Sequence, residues 1–300
     1  MPLLKTEAEK LSNNDLVAGV IEEIIDKEDL LAVMPFTRSE GKAYVYNREN
    51  TISEGAFIDP NEAITEEAST FTEVTTNLKI LAGDVDVDKF IAATLGDTNS
   101  QKAIQIAAKA KGLARKFRRT LAIGDTGSNA KEFDGVAQLV DSNQEIVAGA
   151  NGAALTFDML DELLDAVPNG ADVIMMRSGT IRALRALLRT AGGLEPAHVM
   201  MENFGRPMLT HNGVPIIVND FLPGDETQGT ENAACSIYAM RLNEVDGLHG
   251  LYGGETAGIV LEDIGTVQNK DATRTRLKWY CGTALKSTKS LARLKGITNV

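Results

Sequence analysis

Hydrophobic and polar positions follow different rhythms along the chain, and each rhythm predicts an element. The clearest is helical. Between Thr98 and Leu121 (TNSQKAIQIAAKAKGLARKFRRTL), Ala103, Ala107, Ala110, Ala114, Phe117 and Leu121 recur at spacings of three and four, with no proline and only Gly112 as a glycine. This predicts one α-helix about 36 Å long at 1.5 Å per residue, with a narrow stripe of small residues that lets a sheet come close. Thr98 and Gln101 fit a capping box at its start. A shorter helix near the N-terminus, capped by Asn14 or Asp15, carries Val17, Val20, Ile21, Ile24 and Ile25 on one face and Glu22, Glu23, Asp26 and Lys27 on the other. Nothing adjacent in sequence covers that apolar face, so it docks on its own domain or on a neighbouring copy.

A two-residue rhythm marks the strands. A strand starts at Ala43 to Tyr46, and another returns where Val74, Thr76, Leu78 and Ile80 alternate with Thr75, Asn77 and Lys79. Between them runs RENTISEGAFIDPNEAITEEAST, polar and broken by Gly55 and Pro60. Such a hairpin reaches up to about 50 Å at about 3.3 Å per residue, further than a loop packed on its own domain needs. An isolated two-stranded ribbon is marginal in water, so one of this size should lie on another chain or be disordered. Beyond it, Val85 and Val87 alternate with Asp84, Asp86 and Asp88, before a short helix from Lys89 to Leu95. The acidic triplet resembles a calcium loop only superficially: Lys89 stands where that loop needs glycine and Leu95 where it needs glutamate, so a strand edge is expected.

From about residue 141 to 261 helical and strand rhythms mix. Thr156 caps a helix with Leu160, Leu163, Leu164 and Val167 inward and Asp158, Asp161 and Glu162 in its opening turns. Asp172 to Met176 reads as a buried strand. Ser178 opens a second helix whose Arg182, Arg185 and Arg189 oppose Ile181, Leu184, Leu187 and Leu188, with Gly192 and Gly193 stopping it. HNGVPIIVNDFLP (His211 to Pro223) is a turn, a strand and a turn, and the C-terminus holds two strands, TRLKWYCGTAL and SLARLKGI, the first with the only tryptophan, Trp279.

At 300 residues and 43% hydrophobic content, the chain can bury a real core as two domains or one elaborate one. Its apolar runs fall far short of a membrane span, MPLLKTEAEK has no signal-peptide pattern, and no membrane partner is expected. Cys235 and Cys281, far apart and in no metal-ligand spacing, suit a reducing cytoplasm. The net charge of −12 is unevenly spread: residues 100–119 hold 7 basic and 0 acidic groups, residues 270–300 hold 8 and 1, and the remainder is strongly acidic. The basic segments are therefore expected to meet acidic ones, within or between copies.

No arrangement supports catalysis. His198, His211 and His249 are scattered outside any ligand spacing, no serine sits in a G-x-S-x-G elbow, and the turn from Gly124 to Gly135 lacks the glycine–lysine order of a phosphate-binding loop. No enzyme activity, cofactor or metal is expected.

The order of elements, with the stretches LTFDMLDELLDAVPNGADVIMMRSGTIRAL and NGVPIIVNDFLP, resembles the major capsid protein of tailed double-stranded DNA bacteriophages, a shell fold shared with encapsulins. The resemblance implies an α+β fold: residues 1–33 as an N-terminal arm, 34–78 as the extended E-loop hairpin, 79–140 and 262–300 as a P-domain with the spine helix at 98–121, and 141–261 as an α/β A-domain. It further implies self-assembly as pentamers and hexamers into an icosahedral shell around the phage genome, in the virion after assembly in the host bacterial cytoplasm. Portal and a separate scaffolding protein are implied partners, a decoration protein is compatible with it, and packaged DNA is held without sequence-specific binding. Inter-subunit contacts are expected at Arg38, Lys42, Arg48, Glu49, Glu54, Glu62, Glu66 and Glu67 of the E-loop region, Arg115, Arg118 and Arg119 of the spine helix, and Arg182, Arg185 and Arg189. The acidic E-loop groups are expected near the spine arginines of a neighbour. With Met1 directly before the arm, the chain reads as uncleaved; Lys42, the only lysine of the E-loop region, lies near its base and is not expected to cross-link. The rival readings are an encapsulin-like compartment, a nucleic-acid-binding module built on the two basic segments, and a soluble α/β enzyme.

Overall fold

Alternating side chains make each strand two-faced, and two sheets meet that demand differently. The computed structural model describes residues 30–64, 66–94, 101–190, 198–200, 207–255 and 257–298. The expected N-terminal helix, the Thr98 cap and the Gly192–Gly193 stop lie outside the described residues. In chain order come α1 (Leu30–Val33), β1 (Phe36–Ser39), β2 (Ala43–Thr51), β3 (Thr70–Asn77), β4 (Lys79–Asp88), α2 (Lys89–Thr94), α3 (Gln101–Ile123), α4 (Val136–Leu139) and β5 (Glu145–Val147). Then follow α5 (Phe157–Asp165), β6 (Val173–Met176), α6 (Ser178–Thr190), β7 (His198–Met200), β8 (Pro207–His211), β9 (Val214–Val218) and β10 (Glu226–Gln228). The chain closes with β11 (Glu231–Met240), β12 (Leu248–Gly253), β13 (Val260–Thr266), β14 (Ala272–Leu285) and β15 (Leu291–Ile297).

The smaller sheet is built on β14. β4 runs antiparallel along one edge, from Asp88 opposite Ala272 to Lys79 opposite Cys281, while β13 and then β12 occupy the other edge and β1 lies parallel to β12. The larger sheet has the order β5-β15-β11-β6-β9-β8-β7, with β10 also on β11. Its central strand β6 is apolar throughout and buried on both faces. Val173 and Met175 join one core with Phe117, Leu121, Trp279 and Leu285, whereas Ile174 and Met176 join a second with Leu160, Leu163, Ile181 and Leu184. The larger sheet thus separates helices α5 and α6 from the long helix α3.

Local chemistry fixes these elements. Thr156 Oγ1 accepts from Met159 N at 3.3 Å and caps α5, as its position predicts. The cap of α6 comes from elsewhere: Asp220 Oδ1 accepts from Ser178 N at 2.9 Å. Asn212 and Gly213, with φ of 49° and 84°, make the two-residue turn that joins β8 to β9. At the end of α3 the chain doubles back so tightly that a Cβ on Gly124 would lie 2.4 Å from Phe133 O, and one on Gly135 2.4 Å from Thr120 O.

Two expectations need correcting. The buried stripe of α3 runs through Ile106, Ala110, Leu113, Phe117 and Leu121, and Ala103 and Ala107 are exposed. The larger side chains win because they remove more apolar area from water. The returning strand is two strands: it breaks at Leu78, whose N–H donates to Lys42 O at 2.9 Å, so that β3 stays with β2 while β4 joins β14. The sheets join distant parts of the chain. β1 and β12 lie in the smaller sheet, and β15 lies in the larger one beside β5 and β11. The end of the expected arm, Leu30 to Val33, is a helical turn on the chain's own body, and Leu30 and Met34 are buried in the same core as Phe117.

Phe117 is 1% exposed and its ring lies 4.3 Å from Trp279, 5.3 Å from Phe133 and 6.3 Å from Phe36. Phe117→Ala should destabilise the subunit by about 3–5 kcal/mol. Denaturant unfolding followed by Trp279 fluorescence checks this.

Candidate assembly surfaces

Among the described residues, the ribbon of β2 and β3 is the part least provided for by the chain's own body. Pairing runs from Ala43 opposite Asn77 to Thr51 opposite Thr70. Near its base Tyr44, Tyr46 and Arg48 are half-buried, as are Val74 and Thr76 on the other strand; beyond them nearly every described residue is exposed. Ile52, Phe57, Ile64 and Phe71 show from 64% to 108% exposure, too much apolar surface for a finished face. Among them lie Glu49, Glu54, Glu62, Glu66 and Glu67, all exposed. Glu62 closes a local turn, its carboxylate accepting from Asp59 N at 2.9 Å. The ribbon tip is therefore apolar and acidic together, and from Glu49 to Glu73 every described residue except Ser69 is exposed.

The C-terminal basic segment, in contrast, finds its acids within the chain. Arg274 grips Asp86 with two hydrogen bonds of 2.6 and 2.7 Å, and Arg276 grips Asp84 at 2.7 and 2.8 Å; both pairs face each other directly in the β4–β14 register. Lys278 reaches Glu262 at 2.7 Å on the other side. The acidic triplet is thus a strand, and its last member, Asp88, accepts from Phe90 N at 2.8 Å to start α2. Hydrogen bonds from Arg276 and Arg274 hold Asp84 and Asp86 below the ordinary aspartate value of 3.8. In the larger sheet Arg293 bridges Glu145 and Glu226 at 3.0 and 3.1 Å, and Lys295 adds 2.6 Å to Glu145.

The basic residues of α3 spread over several surroundings. Lys102 pairs with Asp263 at 3.1 Å and Lys116 with Glu132 at 2.5 Å. Arg115 lies over the Phe221 ring at 5.6 Å, Arg118 is half-buried and Arg119 is exposed. On α6, Arg182, Arg185 and Arg189 stand exposed opposite the buried Ile181 and Leu184, the face expected of them. Arg38 is exposed on β1 and Lys42 at the ribbon base. Arg48 is different: its guanidinium is turned inward onto the end of β14, which no spacing rule reveals. The ion-pair ladder was more legible, since Arg274, Arg276 and Lys278 alternate as Asp84 and Asp86 do.

The titratable groups in the core are structural. His211 stacks on Phe157 and bonds Asp161 at 2.8 Å. His249 is buried against Tyr44, and burial, reinforced by Lys286, keeps it below its ordinary 6.5. The free cysteines sit in separate cores, and burial pushes Cys281 up to about 12. Among the described residues no helix is long and apolar enough to cross a membrane.

A rigid two-sheet body that projects a sticky, unsupported ribbon is the design of a subunit completed by its neighbours. The comparisons agree with that class. The model of the phage capsid family matches residues 10–239, and the chain belongs to that family. It is a structural protein of a capsid shell. Its fold is similar to the SrpI encapsulin of Synechococcus elongatus (22% identity, 100% of this chain and 98% of that chain covered, TM-score 0.74). It is likewise similar to the capsid of an empty GTA particle (14%, 98% and 98%, TM-score 0.68) and to the cyanophage A-1(L) capsid (14%, 96% and 99%, TM-score 0.64). No curated protein matches the sequence.

The pKa directions fix an acid response in two stages. The unfolded chain takes up a proton at His249 more readily than the folded one, so stability falls as pH drops through 6.5. Asp84 and Asp86 then withdraw their contribution as pH falls below 3.8 toward their folded values. The double variant Asp84→Asn/Asp86→Asn should be less stable at pH 7 and should lose less in the second stage, measured by thermal unfolding across pH.

Proposed function

We propose that this chain is the major capsid protein of a tailed phage, assembling as pentamers and hexamers into an icosahedral shell around a double-stranded DNA genome. The observation that carries the reading is the ribbon, whose exposed Phe57, Ile52 and Ile64 are interspersed with carboxylates. Lying on a neighbour, it would bury that apolar surface and bring Glu49, Glu54, Glu62, Glu66 and Glu67 toward cations such as Arg115, Arg118 and Arg119 of the adjacent long helix. Arg182, Arg185 and Arg189 would serve a second contact on the other side of the body. A standard protein contact buries about 1,600 Å², and a subunit enclosed by ribbons on several sides exceeds that in total. The net charge of −12 suits a container whose wall repels its cargo, so that DNA is confined and not bound. Assembly in the bacterial cytoplasm, a portal and a separate scaffolding protein belong to this reading.

A second reading is an encapsulin-like compartment, favoured by the TM-score of 0.74 to the SrpI encapsulin against 0.68 and 0.64 for the two capsids. The contents of the particle discriminate: nuclease-protected DNA supports the first reading, and an enzyme cargo with no DNA the second.

Electron microscopy of the purified protein should show closed shells that form less readily as salt rises, because contacts between exposed charges are screened. Monomers alone at every salt concentration would refute both readings. Glu62→Lys/Glu66→Lys/Glu67→Lys should cut the shell fraction severalfold without changing the subunit's unfolding temperature.

A further inference from the structure

β14 outlasts its partner. β4 leaves it at Lys79, opposite Cys281, so the residues that follow on β14 have no β4 partner along that edge. In a sheet, backbone N–H groups of the next strand would bond those carbonyls. Here the next strand has broken at Leu78 and turned out into the ribbon, and side chains of the ribbon do the work. Tyr46 Oη donates to Leu285 O at 2.6 Å. Arg48 donates from Nη2 to the same carbonyl at 2.6 Å and from Nε to Lys286 O at 2.7 Å. The guanidinium also lies 5.8 Å from the Tyr46 ring centre, which holds the two side chains as a unit. One step nearer the body, Tyr44 meets the His249 ring edge-on at 5.7 Å and takes Lys286 Nζ at 5.8 Å over its face.

These contacts fall on alternate residues of one strand, 44, 46 and 48, the face the ribbon turns to the body. Arg48 is the last of them, and Glu49 onward is exposed. It therefore acts as the fulcrum. From Arg48 to the turn at Asn61 the chain spans at most about 40 Å at about 3.3 Å per residue, so a tilt of about 10° at the base moves the tip by as much as about 7 Å. Packing at an interface tolerates far less than that.

We propose that Tyr46 and Arg48 are positioning residues for assembly: by clamping the ribbon base to the free end of β14 they fix the direction in which the ribbon meets its neighbour. The inference rests on the shell reading above but adds that Arg48 works inside its own subunit. A planar, forked donor is what two adjacent carbonyls require, and a lysine cannot reproduce it.

The test compares full-length wild type with Tyr46→Phe, Arg48→Met and Arg48→Lys, measuring unfolding temperature on subunits and shell yield and diameter by electron microscopy. Wild type failing to form shells would overturn the shell reading itself, independently of the variants. If wild type assembles, all three variants should keep the folded circular dichroism spectrum yet give a severalfold lower yield of closed shells and a wider spread of diameters. Arg48→Lys should resemble Arg48→Met. Wild-type assembly by Arg48→Lys alone would overturn the proposal in favour of a charge contact between subunits. Wild-type shells from Tyr46→Phe and Arg48→Met would overturn it outright, and unfolding of the variants would reassign the clamp to core stability.

Discussion

One long strand carries the architecture. β14 is 14 residues long and no neighbour matches its length, so β4, β13 and β12 each take part of it. Its inward face supplies Leu277, Trp279 and Cys281 to the cores beneath α3, and its outward face supplies the Arg274 and Arg276 ion pairs. The end left over receives the ribbon. Shortening this strand would remove sheet, core and anchorage together, which makes its continuity the constraint on everything else.

The two cores divide the labour of stability. That shared by Phe117, Trp279, Met175 and Leu285 joins the long helix to both sheets. The other, between the larger sheet and α5 and α6, is closed off by Leu160, Leu163 and Leu184 at no more than 1% exposure. A rigid body matters for a shell, since any bend within a subunit would be repeated at every copy. The exposed ion pairs, such as Lys102–Asp263, add register more than stability, because such pairs contribute only about 0–1 kcal/mol each.

What was legible in the sequence depended on the range of the forces involved. Local signals read well: the Thr156 cap, the buried β6, the arginine face of α6 and the two C-terminal strands follow from spacing within a few residues. The long helix was legible as an element, but Ala103 and Ala107 were placed on a buried face that passes through Ile106 instead, since a sheet far away in sequence chooses which side it covers. Leu78 looked like one more residue of an alternating strand; its N–H instead donates to Lys42 O, a partner that its own spacing does not reveal. Of the expected contact residues, exposure of the ribbon acids and of Arg182, Arg185 and Arg189 followed from their pattern. The inward turn of Arg48 did not, because it depends on carbonyls more than 230 positions away.

The two cysteines have a practical meaning. Cys235 and Cys281 are both buried, lie in different cores, and hold their protons tightly because a thiolate there would be desolvated. The native subunit is thus nearly silent toward thiol reagents. A cysteine introduced outside the ribbon, at an exposed position such as Val245, would be the one site such reagents find, a single chosen address per copy.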